Sequence, residues 1–265
     1  MVYPLLSAAR NSGKKLLAVL IDPDKARRDN LGELASFANA GLIDLFLWGG
    51  SLVNAPQSEY YLKLLRSSLD AAPVVLFPGS SYQLDAQADA LLLLSLLSGR
   101  NPDLLIGQHV QVAAHIKRMK LEAIPTAYLL IDGGKPTSVS YMSNTTPIPA
   151  DKPQITTATA LAGEQLGMKL IYLDAGSGAQ NPISATMIAC VRHEVSLPII
   201  VGGGIRTPER AAQALEAGAD VIVVGNGLEQ DSSWLPSLAA AVRAASRPPT
   251  ETLDPTKAST QKTLR

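Results

Sequence analysis

The sequence is poor in the residues that mark several protein classes. Among 265 residues it has one cysteine, Cys190, which cannot form an internal disulfide and has no ligand-spaced partner. A reducing cytoplasm is therefore the predicted setting. Charged residues make up 17%, aromatic residues 5%, and the formal net charge is +0. Nothing in this balance suggests a nucleic-acid surface, so any anionic ligand must be bound locally.

Long hydrophobic runs are also missing. The longest, residues 90–97, is interrupted by Ser95, whereas a bilayer-spanning helix needs about 20 apolar residues. The first residues lack the pattern of a signal peptide. We therefore expect a soluble, cytoplasmic protein without an integral membrane segment. Residues 247–265 are polar and aperiodic, which predicts a disordered tail after a single catalytic domain at residues 1–246.

Eight short apolar runs of strand length are present, separated by segments with helical spacing. They span residues 16–21, 45–48, 74–77, 90–94, 127–131, 170–173, 199–201 and 221–224. Regular alternation of strands and helices predicts an α/β fold, and eight repeats favour a (β/α)8 TIM barrel over a doubly wound sheet. The active site of such a barrel lies at the carboxyl ends of its strands.

The last three runs each end in small residues. They are followed by Ala175-Gly176-Ser177-Gly178, Gly202-Gly203-Gly204 and Gly225-Asn226-Gly227. Bare backbone lets an anion approach closely, and N–H groups at the start of a following helix favour a phosphate. The three turns together predict a phosphate-binding cradle.

Asp22 ends the first run and Ser51 follows the second, so a barrel would make them neighbours. One interpretation is structural: Asp22 shapes an Asp-Pro turn, Ser51 caps a helix, and Asp24 caps a helix over residues 25–40. The other is a magnesium site, because Mg²⁺ is commonly held by one or two protein oxygens plus substrate phosphates.

These motifs resemble a known family. Ile21-Asp22-Pro23-Asp24-Lys25, Gly49-Gly50-Ser51, the run from Tyr172 to Ala179 (YLDAGSGA), Gly202-Gly203-Gly204-Ile205-Arg206 and Gly225-Asn226-Gly227 look like geranylgeranylglyceryl phosphate synthase, specifically its second sequence group. The resemblance covers about residues 16–230, and the run from Tyr172 to Ala179 is its most specific part.

The resemblance implies a magnesium-dependent prenyltransferase of ether-lipid biosynthesis. Such enzymes join the C3 hydroxyl of sn-glycerol 1-phosphate to C1 of a polyprenyl diphosphate, here geranylgeranyl diphosphate, and release diphosphate. By matching motifs, Asp22 and Ser51 would hold the metal and Asp174 would be the general base. Glycerol phosphate would be bound by Tyr172, Leu173, Asp174, Ala175, Gly176, Ser177, Gly178, Gly203, Gly204, Gly225 and Asn226. The resemblance also implies a homo-oligomer, either a dimer or a hexamer. Tyr141 resembles the aromatic anchor through which family members assemble dimers into larger rings. Any membrane contact would be peripheral and would serve product release.

Two positions depart from the family pattern. Leu20 stands where the first sequence group has a lysine, so a phosphate contact there cannot be transferred to this chain. Asp174 replaces the usual glutamate and is one carbon shorter. The shorter side chain leaves open where the general base lies and how fast the reaction is.

Two rival functions stay open on sequence alone. One is an isomerase or aldolase using the same cradle, with Asp22, Asp132 and Asp174 as candidate catalytic pairs. The other is a catalytically inert phosphate-binding barrel, suggested by Asp174. A prenyl chain, unlike the ligand of such an isomerase or aldolase, needs an apolar wall. The apolar residues near the fourth run could form this wall, or they could be plain barrel core. They are Phe77, Leu91, Leu92, Leu93, Leu94, Leu96, Leu97, Leu104 and Leu105.

Overall fold

The structure is a computed structural model that describes residues 1–225, 228 and 232–246. The predicted tail at 247–265, and Asn226 and Gly227 of the last glycine turn, lie outside the described residues.

Eight parallel strands close into a barrel in the order of the sequence, which confirms the predicted fold. They are β1 (Leu16–Ile21), β2 (Leu45–Trp48), β3 (Val74–Leu76), β4 (Ala90–Leu96), β5 (Glu122–Leu130), β6 (Leu170–Asp174), β7 (Ile199–Gly202) and β8 (Val221–Val224). Closure comes from β1 pairing with β8, with Leu17 opposite Ile222. β5 begins five residues before the predicted run because its first residues, from Glu122 to Thr126, pair along β4.

Nine α-helices lie among the described residues. They are α1 (Tyr3–Ser12), α2 (Arg28–Asn39), α3 (Ser58–Ser68), α4 (Gln108–Met119), α5 (Ser138–Ser143), α6 (Pro153–Gln165), α7 (Ala185–Glu194), α8 (Pro208–Glu216) and α9 (Leu235–Ala244). A π-helical turn, Asp103–Gly107, leads directly into α4. None of the helices in the described ranges is long and apolar enough to cross a membrane.

The strands are buried on both faces because the barrel has two cores. In β1, Leu16 and Ala18 point into the barrel interior, while Leu17 and Val19 pack towards the helices. This alternation follows from the period of two along a strand. It explains why the strands read as continuous apolar runs in the sequence.

Helix α1, which we did not predict, closes the amino end of the barrel. Leu6 is 1% exposed and belongs to the interior core. The Glu122 carboxylate at the start of β5 accepts hydrogen bonds from the N–H groups of Val2 and Tyr3. A carboxylate at the N-terminus of a helix is electrostatically favourable.

The segment after β1 differs from its prediction. A 3₁₀ turn, Pro23–Lys25, is followed by α2, which begins only at Arg28. Asp24 does not cap that helix: its carboxylate accepts hydrogen bonds from the N–H groups of Asn54 and Ala55, in the loop after β2. Asp22 caps the 3₁₀ turn, since its Oδ1 accepts a hydrogen bond from the Asp24 N–H at 3.1 Å.

Candidate active site

The predicted site residues meet in one cavity at the carboxyl ends of the strands. It is open to solvent and has a volume of about 780 Å³. The predicted residues that line it are Asp22, Ser51, Tyr172, Asp174, Ser177, Gly178, Gly203, Gly204 and Gly225. Leu173, Ala175 and Gly176 do not line it: Leu173 packs in the outer core, and the other two are buried beneath the surface.

The loops after β6 and β7 carry the cradle, but its donors differ from those expected. The N–H of Ala175 donates to the Gly202 carbonyl at 3.1 Å, and the N–H of Gly176 donates to Asp174 Oδ1 at 2.7 Å. Within the described residues, the N–H groups of Gly178, Gly203 and Gly204 have no hydrogen-bond partner. These three glycine N–H groups are available to an anion.

The glycine turns do not open directly into long helices. Helix α7 begins at Ala185 and α8 at Pro208, several residues beyond the glycines. Positive φ values at Gly176, Gly178, Gly203 and Gly204 give these loops their shape. The expectation that a helix N-terminus adjoins each glycine turn is therefore wrong for these two loops, and their anion affinity rests on loop N–H groups.

Charged side chains make the cavity favourable for anions. Lys25, Lys135 and Arg206 line it, against the carboxylates of Asp22 and Asp174. Arg206 is held in place because its guanidinium donates to the Ala179 carbonyl at 3.0 Å. Leu20 also lines the cavity, so the position that departs from the first sequence group faces the site and contributes no charge there.

Asp174 is a buried carboxylate at the end of β6. It is 7% exposed, and its Oδ2 accepts a hydrogen bond from Tyr128 Oη at 2.6 Å. Burial raises the pKa of the Asp174 carboxyl above its ordinary value, while the hydrogen bonds from Tyr128 and the Gly176 N–H act in the opposite direction. A carboxylate with a raised pKa is suited to accept a proton.

Tyr128, the partner of this carboxylate, belongs to a cluster of three aromatic rings. Phe77 stacks on Tyr172 with ring centroids 5.0 Å apart, and Tyr128 packs edge-on against both. Burial and the Asp174 charge raise the pKa of the Tyr128 hydroxyl well above its ordinary value. Tyr128 therefore stays protonated and donates to Asp174.

A second, apolar pocket of about 150 Å³ joins the cavity near β4. It is lined by seven of the nine predicted apolar residues: Phe77, Leu91, Leu92, Leu93, Leu94, Leu96 and Leu104. Leu97 instead packs against the outer core, and neither it nor Leu105 lines the pocket. The cluster thus forms a pocket wall, with Leu91 and Leu92 also part of the barrel core.

Asp22 and Ser51 fit the chemistry of a magnesium site of few protein ligands. Both line the cavity, and an ideal Cβ on Gly50, the neighbour of Ser51, would lie 3.8 Å from Asp22 Oδ1. Lys25 Nζ lies 3.4 Å from Asp22 Oδ2. The described residues contain no cluster of three or more His, Cys, Asp or Glu side chains that could bind a metal unaided. One carboxylate and one hydroxyl suit Mg²⁺ that is completed by substrate phosphates and water.

Sequence reasoning gave no role to Lys135, Arg206 or Tyr128, which all line the cavity. Lys135 lies in the long segment after β5, and Arg206 follows the glycine turn after β7. Tyr128 lies inside a predicted strand, where its inward direction follows from the alternation but its contact with Asp174 does not. The only available signal for it was a polar aromatic side chain on an otherwise apolar strand.

The closed parallel barrel, with its phosphate-type loops and buried carboxylate at the carboxyl ends of the strands, places this chain among the (β/α)8-barrel enzymes. The model of the PcrB family matches residues 12–243. The chain therefore belongs to the PcrB family.

Relatives that carry the name geranylgeranylglyceryl phosphate synthase cover most of the chain. The protein of Spirosoma linguale is 53% identical over 232 residues, covering 88% of this chain and 93% of the relative. That of Thermococcus gammatolerans is 43% identical, covering 83% and 86%. The solved structure of (S)-3-O-geranylgeranylglyceryl phosphate synthase from Thermoplasma acidophilum, in complex with its substrate sn-glycerol-1-phosphate, aligns with a TM-score of 0.84 and 31% identity, covering 91% of this chain and 97% of that one.

Proposed function

We propose that this protein is a prenyltransferase that makes an ether. It joins the C3 hydroxyl of sn-glycerol 1-phosphate to C1 of a polyprenyl diphosphate, with geranylgeranyl diphosphate as the expected donor, and releases diphosphate. The observation that carries this proposal is that a cavity with free loop N–H groups and a buried carboxylate continues into an apolar pocket. The names of the relatives, and the ligand of the solved relative, agree with it.

The glycerol phosphate would lie against the loops after β6 and β7. The N–H groups of Gly178, Gly203 and Gly204 would donate to its phosphate, with Arg206 and Lys135 adding positive charge from the cavity wall. Hydrogen bonds to a charged acceptor are worth about 1.5–3 kcal/mol each. Tyr172, Asp174, Ser177 and Gly225 are the other residues of the predicted contact set that line the cavity.

Asp174 would take the proton of the C3 hydroxyl. An aliphatic hydroxyl is about as weakly acidic as water, so the gap to a carboxylate is roughly 12 pKa units, or on the order of 16 kcal/mol. Asp174 cannot form a free alkoxide in advance. It accepts the proton as the oxygen closes on an allylic carbon that is already losing diphosphate, which implies a carbocation-like transition state.

Asp22 and Ser51 would hold Mg²⁺, which when bound offsets the negative charge of the departing diphosphate. The oxygen of Asp22 that faces the Gly50–Ser51 segment also caps the turn after β1, so the carboxylate is fixed in direction. Lys25 beside Asp22 adds a positive charge at the same place.

The apolar pocket would hold the prenyl chain. An isomerase or aldolase acting on a small phosphosugar gives no reason for an apolar pocket that is joined to the polar cavity. The ether product would be amphipathic, so we expect a peripheral contact with a membrane when the product is released. We expect the protein itself to be a cytoplasmic homo-oligomer.

Two measurements test the function. Isothermal titration with sn-glycerol 1-phosphate should show binding, and a turnover assay with geranylgeranyl diphosphate and Mg²⁺ should yield the ether and diphosphate. Binding without turnover across a panel of prenyl chain lengths would favour the inert barrel. Turnover that stays unchanged after magnesium is removed by chelation would refute the metal assignment.

A further inference from the structure

Five residues line both the polar cavity and the apolar pocket: Gly50, Ser51, Phe77, Tyr128 and Val139. Residues common to two connected spaces mark the place where those spaces meet. If one space holds glycerol phosphate and the other the prenyl chain, the bond-forming oxygen and carbon must meet there. This inference therefore rests on the proposed function.

Tyr128 is the residue at this junction that is joined to the catalytic carboxylate. Of the five, Ser51 and Tyr128 carry a side-chain hydroxyl, and Tyr128 Oη donates to Asp174 Oδ2 at 2.6 Å. This distance is typical of an O–H···O⁻ bond. Asp174 lines the polar cavity but not the apolar pocket.

Both oxygens of the Asp174 carboxylate already accept a hydrogen bond within the protein, which restricts the directions from which a substrate hydroxyl can approach them. Asp174 Oδ1 accepts from the Gly176 N–H at 2.7 Å, and Oδ2 accepts from Tyr128. Aspartate is also about one C–C bond, roughly 1.5 Å, shorter than glutamate. Tyr128 lines both spaces and donates to Asp174 Oδ2, so its hydroxyl offers a path for a proton from the junction of the two spaces to the carboxylate.

We infer that Tyr128 is a catalytic residue that relays the substrate proton to Asp174. The phenol oxygen accepts the C3 hydroxyl proton through a lone pair as its own proton moves to Asp174 Oδ2. In the same event the C3 oxygen bonds to C1 of the prenyl group, and the C1–oxygen bond to diphosphate breaks with its electron pair on the leaving group. Tyr128 is neutral before and after, and Asp174 ends protonated.

The shift of two protons in one step can be measured on the unmodified protein. Single-turnover rates of ether formation are recorded in mixtures of H₂O and D₂O, with saturating sn-glycerol 1-phosphate, geranylgeranyl diphosphate and Mg²⁺. The relay predicts a bowed dependence of the rate on deuterium fraction, because two transferred protons contribute. A straight line, or no isotope effect, overturns the relay.

Variants supply an independent measurement. Tyr128→Phe should lower the single-turnover rate by about a hundredfold or more, the usual range for losing acid–base catalysis, with glycerol-phosphate affinity within about twofold of the parent protein. In the double variant Tyr128→Phe/Asp174→Glu, the longer carboxylate reaches the space left by the Tyr128 hydroxyl. Its single-turnover rate should therefore be at least about tenfold higher than that of Tyr128→Phe. Tyr61→Phe removes the hydroxyl of a half-buried tyrosine on α3 and serves as the control, with the parent rate expected.

Parent-like turnover by Tyr128→Phe overturns the relay, as does a rate loss matched by an equal loss of glycerol-phosphate affinity. A double variant no faster than Tyr128→Phe overturns it too. These results differ from a failure of the proposed function, in which the unmodified protein itself forms no ether.

Discussion

Gly203 lies directly against the backbone of Gly176, so that a Cβ on Gly203 would stand 2.8 Å from the Gly176 nitrogen. The loops after β6 and β7 are therefore in backbone contact at the cradle. Gly203 also has φ of +83°, which L-residues rarely adopt. Both the contact and the conformation require glycine at this position.

Gly203→Ala should weaken glycerol-phosphate binding at least about tenfold. The added Cβ would collide with the backbone of Ala175 and Gly176 and displace the free N–H groups, each worth about 1.5–3 kcal/mol towards an anion. Isothermal titration measures the change. Gly167→Ala is the matched control, because Gly167 has φ of +87° but no atom within 4 Å of the added Cβ.

The control should lose stability through backbone strain and keep its affinity. Equal affinities in folded Gly203→Ala and Gly167→Ala would place the phosphate elsewhere in the cavity.

Asp22→Asn should abolish turnover and spare glycerol-phosphate binding. The amide oxygen can still cap the Asp24 N–H, so the turn after β1 is kept while the charge for Mg²⁺ is lost. Rates measured across a magnesium titration report the effect. Asp24→Asn removes a charge two residues away and should keep the parent magnesium dependence, since Asp24 binds the loop after β2 instead.

Normal magnesium dependence in Asp22→Asn would be incompatible with a metal bound by this carboxylate.

Tyr141→Ala should lower the mass of the assembly in light scattering. The Tyr141 side chain is 84% exposed on α5, and a large exposed aromatic residue is a common contact in protein interfaces. Tyr82, which is 96% exposed on a 3₁₀ turn, offers a matched control. If both alanine variants retain the parent mass, Tyr141 is better explained as part of a lid over the site, because its neighbour Val139 lines the cavity.

The sequence predicts the strands because their burial on both faces makes them continuous apolar runs. Residues 16–21 and 221–224 coincide with β1 and β8 for this reason. Glycine turns after strands are equally visible. What the sequence does not contain is the pairing of side chains across the barrel: Tyr128 and Asp174 are 46 positions apart, and their contact depends on the register of β5 and β6.

The same limit explains the errors near β1 and at the amino end. The partners of Asp24 come from a loop 30 residues later, so local capping rules wrongly assigned it to the start of the following helix. Helix α1 is fixed by Glu122, a residue 119 positions from Tyr3. Long-range partners decide these elements, whereas local spacing decides the strands.

Asp174→Asn should cut the catalytic rate steeply with little change in substrate affinity, while Asp174→Glu should keep or raise the rate. A misplacement near 1 Å can cost about a hundredfold, so the glutamate variant also measures how well the shorter side chain is placed. Turnover by Asp174→Asn at the parent rate would mean that the base lies elsewhere.

The same variant gives a stability test whose sign follows from the raised pKa of Asp174. Between its unfolded pKa, about 3.9, and its folded pKa, this carboxyl binds more protons in the folded protein than in the unfolded one. Its contribution therefore favours folding below the unfolded pKa and is lost as pH rises through the folded pKa. Asparagine does not titrate, so the melting temperature of the parent relative to Asp174→Asn should fall as pH rises through that interval. The catalytic rate of the parent should rise over the same interval, because only the deprotonated carboxylate accepts the substrate proton. If relative stability instead increased with pH, hydrogen bonding from Tyr128 and Gly176 would outweigh burial, and Asp174 would be a weaker base than its surroundings indicate.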